Sequence, residues 1–255
     1  MKLDIKKHMD KITPKTELLY KKSKPIDQLS TIDGINLMVN EQMSAALKVK
    51  DSNNSIKIAI KKIANHLIIN KKGRLIYVGA GTSGRIGVQD GVELFPTFNW
   101  PHNRLDYIIA GGDQAITKSI EGAEDSECLA IDTVTKKSIN SQDVVIGLAA
   151  SGNTTFTCKV LDLAKKYNAL TIAISNNPAG KILEFGKVKI ILDTEEEVIA
   201  GSTRLKAGTA QKICLNIISS MVMIKMGRVT NGLMTSMVPM NKKLRIRKQW
   251  IETES

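Results

Sequence analysis

The sequence predicts an α/β fold: a three-layer sandwich in which a parallel sheet is covered by helices on both faces, preceded by an N-terminal helical arm. Three observations carry this. Short, uninterrupted apolar runs recur along the chain, the pattern of strands buried on both faces. Helix-like segments lie between most of them, as parallel strands require. Two of the runs end in the same kind of small-residue loop before a helix.

Taken in order, residues 1–50 are polar and Lys-rich, with turn signals at Pro14, Pro25 and Gly34. They read as an arm with two short helices, near 26–40 and 40–49. Ile56, Ile60, Ile63 and Leu67 then mark one face of a helix over 55–70. Beyond Gly73 the strand-like runs are 74–78, 105–110, 143–148, 170–175 and 188–192, with helices expected at 84–94, 114–122, 154–167 and 179–186. A last long helix, near 206–226, is apolar almost all round and should be central. Residues 51–255 therefore read as a single domain, with 1–50 as the arm.

Composition excludes several classes. The net charge is +12 with 37 Lys and Arg, but only seven of these are Arg, the residue suited to bidentate phosphate or base contacts. Four Phe, four Tyr and two Trp leave few rings for stacking bases, so no nucleic-acid partner is expected. Cys128, Cys158 and Cys214 are widely spaced and form no metal pattern. The opening MKLDIKKHMDKITPKTE has no apolar core of a secretory signal. The most apolar stretch, Ile213 to Met226, carries Asn216, Ser219, Ser220 and Lys225, and reads as too polar and too short for a bilayer. A cytoplasmic protein without a membrane partner is the expectation.

The segments LIYVGAGTSGRIG at 75–87 and VVIGLAASGNTTF at 144–156 share one plan of strand, hydroxyl-rich loop and helix. Such a loop presents backbone N–H groups and hydroxyls where the helix dipole favours an anion. Thr82, Ser83, Ser151 and Thr154 are the hydroxyls, and Asn153 lies between the last two. Gly79-Ala80-Gly81-Thr82-Ser83-Gly84 also fits the dinucleotide fingerprint. That fingerprint needs an acid about 20 residues on to hold a ribose, where this chain has Trp100, Pro101, His102 and Asn103. A small phosphorylated ligand fits better than a dinucleotide, and no cofactor is expected.

His8 falls in the arm, His66 on the solvent side of a helix and His102 in a loop, so carboxylates are the better acid–base candidates. Asp90 and Glu93 stand three apart on the helix after the first loop, and Glu121, Glu124 and Asp125 form EGAED after the second strand. Gly201-Ser202-Thr203-Arg204-Leu205-Lys206 opens the long helix. Its hydroxyls, with Arg204 and Lys206, suggest a further anion site, with Ser202 or Thr203 as helix cap.

GRLIYVGAGTSGRIGVQDGVE, IAGGDQAI with EGAED, GLAASGNTTF, GSTRLKAGTAQK and NKKL, in that order, closely resemble the N-acetylmuramic acid 6-phosphate etherases. These belong to the sugar isomerase (SIS) superfamily, together with the glucokinase regulatory protein. IDQLST at 26–31 is similar to that family's N-terminal arm, and the resemblance runs from about residue 17 to 247. It implies a flavodoxin-like SIS domain, a homodimer, and no metal or nucleotide. It also implies a carbon–oxygen lyase that splits the D-lactyl ether of N-acetylmuramic acid 6-phosphate in cell-wall recycling. By motif match Glu93 falls on the family's catalytic acid and Glu124 on its second essential carboxylate. Thr82, Ser83, Ser151, Asn153, Thr154, Ser202, Arg204 and Lys206 are the expected substrate contacts. The family's more common DASEC reads Asp90-Gly91-Val92-Glu93-Leu94 here, keeping both acids, and many members continue past NKKL into a small helical domain. The alternatives within reach of the same motifs are an aldose–ketose isomerase and a non-catalytic sugar-phosphate sensor.

Overall fold

The computed structural model describes residues 13–239 and 242–254. His8 and the Asn241 of NKKL lie outside the described residues. The helices are α1 (Thr31–Asp51), α2 (Asn53–Ile69), α3 (Gly81–Val92), α4 (Leu94–Phe98), α5 (Glu127–Lys137), α6 (Thr155–Lys166), α7 (Lys206–Lys225) and α8 (Lys242–Glu254). The strands are β1 (Leu75–Gly79), β2 (Leu105–Ile109), β3 (Val144–Ala149), β4 (Leu170–Ser175) and β5 (Val188–Ile191), each within about one residue of its predicted span.

All five strands are parallel, in the order β2-β1-β3-β4-β5. This is the flavodoxin-like order, which reverses direction between β1 and β3. Alternation along the strands divides the core in two. Leu75, Tyr77, Ile146, Leu148 and Ile172 pack with α2 and α7, whereas Ile76, Val78, Val145 and Ala173 pack with α5 and α6. The sheet is thus the middle of three layers.

Several helices differ from expectation. The two short arm helices are one, α1, capped at its start by Ser30, whose Oγ accepts from Asp33 N at 3.2 Å and donates to the Asp33 carboxylate at 2.6 Å. The expected helix at 114–122 is a loop with 3₁₀ turns at Asp113–Ile116 and Ala123–Asp125. Gly111 and Gly112 just before it and Gly122 at its end all take positive φ. The segment 179–186 narrows likewise to a 3₁₀ turn, Lys181–Glu184. Helix α5 was not expected, although Ser126 caps it by accepting from Leu129 N at 3.2 Å.

Helix α7 begins seven residues before Ile213 and runs for 20 residues, so length and composition alone would allow a membrane crossing. Within the fold 56% of its apolar stretch is buried against α1, α2 and α3, the position of a core helix.

Candidate active site

The loops that follow β1 and β3 sit side by side at the carboxyl edge of the sheet, because those strands are neighbours. Their helices leave to opposite faces, α3 toward α7 and α6 toward α5. This is the point in an open parallel sheet where ligands bind. A cavity of about 350 Å³ opens there, lined by Thr82 and Ser83 from the first turn of α3, Ser151 and Thr154 from the loop before α6, and Glu124. Four hydroxyls and one carboxylate named from the sequence therefore meet in one place.

The tight start of α3 depends on Gly84, where a Cβ would lie 2.7 Å from Ile109 Cγ1. Close packing against β2 keeps the helix N-terminus at the cavity. In the second loop Ser151 Oγ accepts from Asn153 N at 3.2 Å, which turns the backbone into α6.

Glu124 is exposed on the loop after β2. Arg85 on α3 holds that loop: its Nε donates to the carbonyls of Ala115 at 2.9 Å and Ile116 at 3.1 Å, and Nη2 to that of Lys118 at 2.8 Å. A second cavity of about 290 Å³ runs under this clamp and shares Ala80, Gly81 and Glu124 with the first. Arg85 thus positions the acidic loop, a role its place in the GTSGRIG motif did not reveal.

Other expected contacts are placed elsewhere. Asn153 points away: its Oδ1 accepts from Lys181 N at 3.0 Å, and it lines a separate pocket with Cys158 and Lys159. Lys206 is buried, only 3% of its side chain being exposed, and its ammonium pairs with Glu41. It is not free to meet an anion. The helix start is occupied as well, since Glu197 accepts from Lys206 N at 3.0 Å and Ala207 N at 2.8 Å. Glu197, rather than Ser202 or Thr203, is the cap, and its carboxylate fills the place of an external anion. Burial raises the Glu197 pKa despite those two backbone donors. Ser202 is half-buried and Arg204 exposed, both off the cavity wall, while Thr203 between them lines it.

Asp90 and Glu93 separate in role. Asp90 is 5% exposed and accepts from Tyr77 Oη at 2.7 Å, Asn216 Nδ2 at 2.7 Å and Ser219 Oγ at 3.0 Å, tying α3 to β1 and α7. Glu93 is exposed at the far end of α3, on a different cavity of about 300 Å³ that also takes in Lys212 and Asn216. The twelve residues of α3 span about 18 Å, so within one chain Glu93 and Glu124 do not face the same cavity. Of the remaining histidines, His66 is half-buried with Nε2 3.0 Å from the Gln142 carbonyl, and His102 stacks on Phe95.

Comparison with known proteins settles the relationship. A family model described as the glucokinase regulatory protein N-terminal SIS domain matches residues 56–165, and the SIS domain model matches residues 129–221. An N-acetylmuramic acid 6-phosphate etherase of Mycoplasma mycoides is 42% identical over 232 residues, covering 91% of this chain and 76% of that protein. The chain belongs to the N-acetylmuramic acid 6-phosphate etherase family. A second etherase, from Enterococcus faecalis, is 41% identical over 90% of this chain and 76% of its own length. Among solved structures, a phosphoheptose isomerase from Francisella tularensis superposes with a TM-score of 0.55 at 18% identity, covering 77% of this chain and 98% of the isomerase. At that identity it shows the fold alone, and the fold shared with this etherase-family chain is the SIS sandwich.

Proposed function

We propose that this chain is a lyase that cleaves the D-lactyl ether of N-acetylmuramic acid 6-phosphate, releasing N-acetylglucosamine 6-phosphate and D-lactate in amino-sugar recycling. The observation that carries the reading is the cavity at the β1–β3 switch point, where two hydroxyl loops at helix N-termini meet Glu124 in a member of the etherase family. The phosphate sits on Thr82, Ser83, Ser151 and Thr154. A base removes the C2 proton of the open-chain sugar, an acid protonates the departing lactate oxygen, and water adds to the unsaturated aldehyde. That makes the reaction an elimination followed by hydration. Carboxylates suffice for these proton transfers.

Glu93 and Glu124 are the catalytic pair in this reading. Their separation along α3 is bridged by a homodimer in which Glu93 of one chain completes the site of the other. An apolar stripe supports association: Ile32, Ile35, Val39, Met43 and Leu47 are all more than half exposed along α1. Neighbouring α7 adds exposed Ile217, Met221 and Ile224. The arm over 1–50 and the sugar-phosphate domain over 51–255 then act as one cytoplasmic unit. Incubating the purified protein with N-acetylmuramic acid 6-phosphate and measuring D-lactate tests the activity, and absence of lactate refutes it. Light scattering should give a mass near twice the 27.9 kDa of the chain.

A further inference from the structure

Glu17 belongs to no motif of the predicted site, yet it lines the same cavity as Ser83, Ser151 and Glu124. Its backbone is held by the two residues before it. Thr16 is 0% exposed and its carbonyl accepts from Gly201 N at 2.9 Å. Lys15 pairs with Asp193 at 2.9 Å. Gly201 in turn makes room for the carboxylate. It takes φ +74°, and a Cβ there would stand 2.8 Å from Glu17 Oε2.

The carboxylate has little of its own to hold. Among the described residues no cation pairs with Glu17, and its one side-chain hydrogen bond is a 3.5 Å contact from Thr16 Oγ1. Glu17 is exposed to solvent on that wall, and in a chain of net charge +12 it sets a carboxylate opposite the two hydroxyl loops. It repels a bare phosphate anion and accepts hydrogen bonds from hydroxyl groups attached to one.

We propose that Glu17 is a specificity residue, which accepts hydrogen bonds from the sugar hydroxyls and so selects a sugar phosphate against inorganic phosphate. This rests on the reading above that the cavity takes a sugar phosphate. The arm is then a wall of the site rather than a tether.

The test compares Glu17→Gln and Glu17→Ala with wild type. Glu17→Ala should raise KM for N-acetylmuramic acid 6-phosphate about 10- to 100-fold, the scale of a hydrogen bond to a charged group. Glu17→Gln should fall between the two, since its amide still accepts. Inhibition by inorganic phosphate should be unchanged or tighter in both variants. Loss of sugar-phosphate affinity without loss of inorganic phosphate affinity is the signature, because damage to the phosphate loops would weaken both together. A KM within about threefold of wild type, or parallel loss of both affinities, overturns the proposal. Calorimetry with glucose 6-phosphate and with inorganic phosphate reads the same contrast in a protein that releases no lactate. Failure of the etherase reading and failure of the Glu17 role are thereby distinguished.

Discussion

The ammonium of Lys206, 3% exposed, and the carboxylate of Glu41, 16% exposed, form a largely buried ion pair that fastens α1 to the start of α7. Tyr20 donates to the other Glu41 oxygen at 2.9 Å, so the same carboxylate also anchors the arm. Burial pushes the Glu41 pKa up, but the Lys206 and Tyr20 hydrogen bonds outweigh it and the net shift is downward. Lys206→Met should therefore leave an uncompensated anion and cost about 3 kcal/mol, the low end for a broken buried pair. Thermal melting should show this as a fall of about 6–12 °C. The double variant with Glu41→Gln should recover part of the loss. If Lys206→Met instead melts like wild type and loses sugar-phosphate affinity, Lys206 is an anion ligand after all.

Ser83, in the first turn of α3, and Ser151, in the loop before α6, stand where these two helices leave the sheet on opposite faces. Ser83→Ala and Ser151→Ala should each weaken sugar-phosphate binding by about 1–3 kcal/mol, the scale of one unpaired polar partner. Titration calorimetry measures this directly. Unchanged affinity in both variants would move the phosphate off these loops.

Alkaline pH should unfold the protein through its tyrosines. Burial raises the Tyr20 hydroxyl to about 12, with the Glu41 hydrogen bond adding to it. Burial also pushes Tyr77 well above its ordinary value, with Asp90 beside it contributing. A folded pKa above the unfolded one means the fold holds its protons more tightly than the unfolded chain does. This stability is complete below the ordinary tyrosine value of 10.0 and, for Tyr20, is lost as pH rises toward 12. Tm should fall across that interval, and fall less in Tyr20→Phe. A variant whose Tm declines as steeply as wild type would exclude Tyr20 as a contributor.

How much of this was legible beforehand follows from which signals are local. The strands were, because runs such as Val144–Ala149 are apolar throughout and bounded by turn residues. The hydroxyl loops were legible too, since strand, loop and helix are contiguous in the chain. Glu17 was not: it joins the cavity only through Thr16 and Gly201, 185 residues apart in sequence. The pairing of Lys206 was hidden for the same reason. At a helix start a lysine looks like an anion ligand, and only its long-range partner Glu41 shows otherwise. Ser126, followed by Glu127 in the first turn of α5 and by Lys136 and Lys137 in its last, was a readable helix signal that the strand-and-loop pattern obscured.

Glu93 carries the sharpest prediction, because its position is hard to reconcile with a site built from one chain. It follows the last residue of α3, whereas Thr82 and Ser83 lie in that helix's first turn. Glu93→Gln keeps the size and removes the proton-transfer group, so lactate release should fall at least about 10²-fold. Binding and dimer mass should be unchanged. Glu124→Gln should be comparably impaired. If it still exchanges the C2 proton with deuterated solvent, Glu124 is not the base. The two variants can then be mixed and allowed to exchange subunits. In a composite site, a dimer of one Glu93→Gln chain and one Glu124→Gln chain holds one doubly altered site and one intact site. Random exchange makes half of the dimers mixed, so about a quarter of wild-type activity should return. Were both glutamates to act within one chain, every site would carry a lesion and the mixture would stay inactive. Recovery near a quarter places Glu93 across the dimer. An inactive mixture whose subunits have demonstrably exchanged means that Glu93 must reach Glu124 by movement within its own chain. If Glu93→Gln alone keeps more than about a tenth of wild-type turnover, the residue is not the acid.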